Sequence, residues 1–399
     1  MRILLANKFY YRRGGDCVCM LNTEQLLREK GHAVAVFAMD YPENLDTPWR
    51  KYFPQNMGTL MAFTRPFGSR EVKDKFGRLL DDFRPDVVHL HNIHTQLSPA
   101  IAELAHGKGA KVVWTLHDYK LLCPRYDCLR GGKEICERCF GGDKTPCRAN
   151  RCMKGSALAS WIGYKEAMAW NRGRLEACTD TFVCPSRFMA GKMMQGGFRK
   201  DKLQVLCNFM DTERCRRADY GKKDDYYCYV GRLSHEKGVA TLIAAAARLP
   251  HRLKVVGGGP LLEPLKAESE RLEANIEFVG HKPWEEIKEI VGRARFAVIP
   301  SEWYENNPLS VIEAECLGTP VLGAHIGGIP ELIEESVNGM AFESRNVEDL
   351  AEKIKAMYSA TFDYGGIADK AQGRFGADAY YRGLMEIYSK WNRRGHASM

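Results

Sequence analysis

Short apolar runs rich in β-branched residues recur along this chain, each separated from the next by a helical stretch, and the alternation restarts once near residue 206. The opening shows the unit: Ile3-Leu-Leu-Ala6, a turn through Gly14-Gly15, a helical stretch over 18–30 closed by Gly31, then Ala33-Val-Ala-Val-Phe37. Runs at 86–90, 111–116 and 181–184 continue it; after the restart come a strand at 226–230, a helix at 239–249 and strands at 253–256, 276–279, 296–300 and 320–322. Runs this short and this apolar suit parallel strands buried on both faces. The expected architecture is α/β, with two Rossmann-like domains facing each other across a cleft, a common home for a ligand. The boundaries fall at 1–205, 206–376 and 377–399. The last segment reads as a helix over 377–394, with Tyr380, Leu384, Ile387, Tyr388 and Trp391 on one side, packing back towards the first domain.

A chain of 399 residues, 45% hydrophobic and 27% charged, can fill two cores, which excludes a mainly disordered protein. The apolar run at the N-terminus is too short for a signal-peptide core, and no later stretch approaches the ~18 apolar residues of a membrane span. The expected setting is the cytoplasm, with room for peripheral contact at the inner face of the membrane. Charge is uneven: residues 1–206 hold 33 Lys+Arg against 21 Asp+Glu, and residues 207–399 hold 25 against 29. A basic half can attract a phosphorylated substrate, an anionic membrane or nucleic acid, or can simply be solvated surface.

The chemistry concentrates where strands end. Glu305-Asn-Asn-Pro-Leu-Ser-Val-Ile-Glu313 follows the strand-like run 296–300, so Glu305 belongs to a loop at the carboxyl edge of the sheet and Glu313 to the helix after it. Upstream, Gly231-Arg-Leu-Ser-His-Glu-Lys-Gly238 places a guanidinium fork, Arg232, and a compact ammonium, Lys237, on another strand-to-helix turn. Gly14 and Gly15 let backbone N–H groups approach a phosphate at a helix start. Two cations for a diphosphate and two acids for hydroxyls suit a sugar nucleotide.

These segments, in this order and spacing, give the chain its likeness. With Thr115-Leu-His-Asp118, Asn208-Phe-Met-Asp-Thr-Glu213, Val256-Gly-Gly-Gly-Pro260 and Gly327-Gly-Ile-Pro-Glu331, the sequence resembles a retaining GT-B glycosyltransferase of family 4 (glycosyl transferases group 1) over nearly its whole length. The resemblance implies that Arg232 and Lys237 grip the donor diphosphate, with Gly14, Gly15 and Gly258 close to the donor. It implies that Glu305 faces the donor sugar, Glu313 holds the ribose hydroxyls, and Asn306, Asn307 and Leu309 offer backbone N–H groups; Pro308 can offer none. His117 is implied to lie beside the transferred sugar, so the catalytic set is His117, Arg232, Lys237 and Glu305. Asp16 stands where the family usually carries a glutamate slightly later, and no role is transferred to it. The implied partners are a nucleotide diphosphate sugar and a saccharide or lipid-linked acceptor, used in cell-surface polysaccharide or glycolipid synthesis, with no cofactor required for catalysis and no nucleic acid. A GT-B sugar-nucleotide epimerase and a zinc-dependent nucleic-acid-binding protein are the alternatives.

Two clusters stand apart. His89, His91 and His94 straddle a strand end, and no local carboxylate or thiol completes a zinc site there. Six of the 14 cysteines fall in an insert at 123–152: Cys123, Cys128, Cys136, Cys139, Cys147 and Cys152, symmetrical in spacing about the Cys136-Glu-Arg-Cys139 knuckle. In a reducing compartment these are not a disulfide framework. A structural zinc on a subset of them, an iron–sulfur cluster and unliganded thiols are the three readings.

Overall fold

The computed structural model describes residues 1–55 and 64–390. Two compact units emerge: residues 1–131, 135–207 and 380 onward form the first, and residues 132–134 and 208–379 the second. Trp391 and the final turn expected to follow it lie outside the described residues.

The first unit is built on six parallel strands, β1 (Arg2–Ala6), β2 (Ala33–Phe37), β3 (Val87–Leu90), β4 (Lys111–Thr115), β7 (Thr181–Cys184) and β8 (Leu203–Val205), in the order β2-β1-β3-β4-β7-β8. Its helices are α1 (Gly15–Glu29), α2 (Arg70–Phe83), α3 (Ala100–Gly107), α4 (Thr145–Ala149), α5 (Ala157–Ala169), α6 (Arg172–Ala177) and α7 (Arg187–Gln195). A two-stranded ribbon, β5 (Leu129–Arg130) with β6 (Glu134–Ile135), lies in the cysteine-bearing insert. Helix α2 illustrates the local logic. Ser69 caps it by accepting the Val72 N–H, and Val72, Phe76, Leu79, Leu80 and Phe83 recur at helical spacing to bury one stripe.

The second unit repeats the scheme with β9 (Tyr227–Val230), β10 (Leu253–Val256), β11 (Ile276–Gly280), β12 (Ala297–Ile299), β13 (Val321–Ala324) and β14 (Gly339–Phe342), ordered β11-β10-β9-β12-β13-β14. Its helices are α8 (Val239–Ala246), α9 (Leu262–Arg271), α10 (Trp284–Arg293), α11 (Leu309–Cys316), α12 (Val347–Ser359) and α13 (Tyr364–Phe375). Because every pairing is parallel, all strand-to-helix loops of a unit leave from one edge. The order reverses direction at β1/β3 in the first unit and at β9/β12 in the second. Doubly wound sheets open a crevice at such switch points.

The last helix, α14 (Ala377–Ser389), has Tyr380, Leu384, Ile387 and Tyr388 buried. Its residues from Tyr380 onward are held to the first unit by polar contacts. Tyr388 Oη lies 2.7 Å from His89 Nδ1, and the buried Lys111 ammonium donates to the carbonyls of Ile387 and Tyr388 at the helix end, where the macrodipole favours a cation. Among the described residues no helix is long and apolar enough to cross a membrane.

Candidate active site

In the second unit the residues singled out from the sequence converge on the β9/β12 switch point. Lys237 ends a short 3₁₀ turn (His235–Lys237) after β9, and Glu305 sits in the loop after β12. Lys237 Nζ donates to Glu305 Oε1 at 2.6 Å, and Ser301 Oγ donates to the same oxygen at 2.7 Å. Burial alone would push the Glu305 carboxyl up, but the Lys237 charge and these hydrogen bonds hold it below the usual range, so Glu305 is a carboxylate. The Arg232 guanidinium, 65% exposed, pairs with Glu236 at 2.6 Å. Both cations are therefore paired with a carboxylate.

Two glycines fix these loops. A side chain on Gly327 (φ 62°) would collide with the backbone of Glu305, whose carbonyl also accepts the Gly328 N–H. Gly257 (φ 131°) lies against the Gly231 carbonyl in the same way. Between Gly257 and Gly259, Gly258 opens onto free space. Asn307 is buried, and its side-chain oxygen accepts the Asn208 N–H at 2.8 Å while its carbonyl accepts from Asn208 Nδ2. Its side chain thus ties two loops of this unit together, while Leu309 begins α11 with Pro308 as its cap.

Glu313 lies one turn inside α11, and burial pushes its carboxyl up to about 7 against the opposing pull of Arg214. A carboxyl poised near neutrality can accept from, or donate to, a hydroxyl. Glu315, two residues on, is buried further, accepts from Asn338 Nδ2 at 2.9 Å and is pushed up to about 8 by desolvation.

In the first unit the β1/β3 switch point gathers Gly14 and Gly15, exposed at the start of α1, with Asp16 in its first turn. Asn92 ties the loops: its N–H donates to Asn7 Oδ1 at 3.0 Å, and its side-chain amide donates to Asp16 at 3.2 Å and to Asp118 at 3.4 Å. His117 follows β4, its Nε2 3.0 Å from His91 Nδ1 with the rings stacked. Burial pushes His117 down to about 4, only partly opposed by Asp16, so the imidazole is neutral at physiological pH. His89 does share its side with His91, the rings 4.4 Å apart, but its two nitrogens are taken by Tyr388 and Thr115. His94 stacks on Trp114 instead. His89 and His91 thus form a packed polar row with His117, His94 stands apart from it, and the three do not come together as a metal triplet.

Reading the sequence missed the residues that hold the named ones: Ser301 and Glu236 beside the charged pairs, and Asn7, Asn92 and Asp16 in the first unit. Ser301, Asn7 and Asn92 all come within two residues of a strand's end, a position that would have flagged them.

The insert brings Cys123, Cys136, Cys139, Cys147 and Cys152 to the wall of one small cavity. Cys128 is buried against Cys123, whose thiol is lowered to about 7, chiefly by the hydrogen bond Cys128 gives it. All six are free thiols, and among the described residues no group of three His, Cys, Asp or Glu is set to hold a metal ion. The ligand types for zinc are gathered without its arrangement.

Comparison with known proteins decides the lineage. The family described as Glycosyltransferase Family 4 matches residues 14–214, and Glycosyl transferases group 1 matches residues 213–371. The chain belongs to glycosyltransferase family 4. Among its relatives, the glycogen synthase of Mycobacterium tuberculosis is 35% identical over 167 residues, covering 39% of this chain and 40% of that protein. The amylovoran biosynthesis glycosyltransferase AmsK of Erwinia amylovora is 30% identical over 236 residues, 54% of this chain and 58% of that one. The chain thus spans about half the length of the curated relatives it matches. Anabaena HepE, solved with UDP and glucose, shares the fold at a TM-score of 0.69 and 17% identity, covering 98% of this chain and 100% of that one. The two doubly wound units are those of a GT-B glycosyltransferase, and the family 4 matches together run across both.

Proposed function

We propose that this family 4 protein is a retaining glycosyltransferase that moves a hexose from a nucleotide diphosphate sugar to a saccharide or lipid-linked acceptor in cell-surface polysaccharide or glycolipid synthesis. The observation that carries the reading is the Lys237–Glu305 pair at the β9/β12 switch point, with Arg232 on the same loop as Lys237. Breaking the bond from the anomeric carbon to the diphosphate builds negative charge on the leaving group, and fixed cations there stabilise the transition state more than the ground state. As the phosphate takes up Lys237, Glu305 is released towards the sugar, whose ring carbon becomes oxocarbenium-like. Glu313 suits the ribose hydroxyls, and neutral His117 is fit to donate an N–H to a sugar hydroxyl. Retention fits attack from the leaving-group face, with the departing phosphate taking the acceptor proton. The Arg/Lys clamp does the electrostatic work for which other transferases use a divalent ion, so turnover in EDTA should match turnover without it.

The test is a thermal-shift screen against UDP, GDP, ADP, TDP and CMP, starting with UDP and UDP-glucose because HepE was solved with UDP and glucose. One diphosphate should raise the melting temperature, and NMR of the product should show the donor's anomeric configuration kept. No shift with any nucleotide would overturn the transferase reading, and an inverted product would overturn retention.

A further inference from the structure

Helix α5 buries small and polar residues and leaves three large apolar ones exposed, the reverse of an ordinary helix on a globular surface. Its buried residues are Ser160, Gly163 and Glu166. Its outer side carries Leu158, Trp161 and Met168, which remain 57, 45 and 43% exposed. With Lys165 these stand at i, i+3, i+7 and i+10, one stripe of a helix. The inward face is explained by its contacts: Glu166 pairs with Lys120 at 2.8 Å, Ser160 Oγ accepts the Met153 N–H, and Gly163 packs on Met153. Among the described residues nothing covers the outward face.

The surroundings of the stripe are cationic. Residues 144–174 contain seven Lys+Arg and one acid, the buried Glu166. Lys165 lies over the Trp161 ring at 5.6 Å, and Arg148, on the neighbouring α4, lies over Tyr164 at 5.6 Å. Among the described residues Arg148, Arg151, Lys154 and Lys165 form no ion pair. An indole with flanking aliphatic side chains, ringed by lysine and arginine whose stems can lie along apolar surface, is the composition of a helix lying in a membrane interface.

We propose that α5 and the turn preceding it dock on the surface of an anionic lipid bilayer. Leu158, Trp161 and Met168 enter the headgroup region, and the four cations meet lipid phosphates. Nucleic acid would satisfy the cations but leave Leu158 and Met168 without an apolar partner. Docking does not depend on the transferase reading, since it uses none of the residues given to the donor.

The experiment is co-sedimentation of the full-length protein with phosphatidylcholine vesicles, with and without phosphatidylglycerol. Anionic vesicles should bind at least about tenfold more protein than neutral ones, with binding falling as salt rises. The triple variant Leu158→Ser/Trp161→Ser/Met168→Ser should lose that binding while keeping its melting temperature. Should the triple variant melt early, Trp161→Phe decides: it should bind as the wild type does but lose most of the fluorescence quenching produced by brominated lipid. Wild-type protein left in the supernatant, a folded triple variant that binds undiminished, or unchanged quenching in Trp161→Phe would each overturn the proposal. So would binding to duplex DNA as tight as binding to anionic vesicles.

Discussion

Lys237 and Glu305 meet at 2.6 Å on loops that leave β9 and β12, joining the two strands between which the second sheet reverses its order. Glu305 is nearly enclosed, so its charge is tolerable only because Lys237 and Ser301 answer it. On the proposed donor-clamp reading, stability and turnover are therefore coupled at this point. Lys237→Met should lower stability by roughly 2 kcal/mol or more, because it strands a buried carboxylate, and should depress turnover by at least about a hundredfold through the lost phosphate contact. Adding Glu305→Gln should restore much of the stability and none of the turnover. Urea unfolding and donor turnover of both singles and the double form the cycle; near-normal turnover in Lys237→Met would end the clamp assignment.

Glu315 supplies a prediction on the other side of α11. Its folded carboxyl titrates at about 8, above the ordinary 4.5, because it is desolvated. A group with a raised folded value favours the fold while both states are protonated, below the unfolded value. That advantage disappears as pH rises through the folded one. Wild-type stability should thus decline between about pH 4.5 and 8 by more than that of Glu315→Gln, which keeps an acceptor for Asn338 and has no proton to lose. Unfolding curves of the two proteins at pH 5 and pH 8.5 provide the check, and parallel losses would show that Glu315 is not buried as a neutral acid.

Periodicity reaches what depends on neighbours along the chain. The strand positions at 3–6, 33–37, 181–184 and 253–256 stand close to where the sheet has them because apolar β-branched runs between turns have few other uses, and Glu305 and Lys237 stand at strand ends because the strand runs before them are plain. Strands β8 and β14 escaped that reading. Gln204 splits the first, and Gly339 opens the second, so neither presents a continuous β-branched run. What no local pattern carries is pairing across distance. That Glu236 would neutralise Arg232, that Asn208 would bind Asn307, or that Tyr388 would meet His89 depends on how the strands are ordered, which the spacing of apolar runs does not state. The exposed face of α5 is hidden differently: no local pattern states that Ser160, Gly163 and Glu166 turn inward while Leu158 and Trp161 face out.

The cysteine insert gives a test of metal content. Five thiols share a cavity wall, and the buried Lys144 ammonium, bonded to the carbonyls of Leu122 and Cys139, adds positive charge beside them. A zinc–thiolate centre is anionic and would use that charge; Zn–S bonds of about 2.3 Å would require the thiols to close inward. If Cys136 and Cys139 hold a structural zinc, protein purified under reducing conditions should carry about one zinc per chain and chelation should lower its melting temperature. Metal-free protein whose melting temperature is indifferent to chelator would leave the six as unliganded thiols.

The histidine row makes the opposite pH prediction from Glu315. Burial drives His89 down to about 3 and His117 to about 4, so these two are neutral in the folded chain above pH 5, and it takes His91 and His94 well below the ordinary 6.5 in the same direction. Unfolded histidines bind protons near pH 6.5. Stability contributed by a depressed group is present above that value and is lost as pH falls towards the folded ones. Between pH 7 and pH 5 the fold should therefore weaken, with a slope set by the protons taken up on unfolding. His89→Gln can keep a hydrogen bond to Thr115 or Tyr388 and, whatever its absolute stability, should reduce that slope by about one proton. If His117 acts as the proposed neutral donor, turnover measured from pH 8 to pH 5.5 should show no inflection near 6.5, because burial holds the ring at about 4. An acid limb at that pH which disappears in His117→Asn would mean that the ring is protonated in the working enzyme.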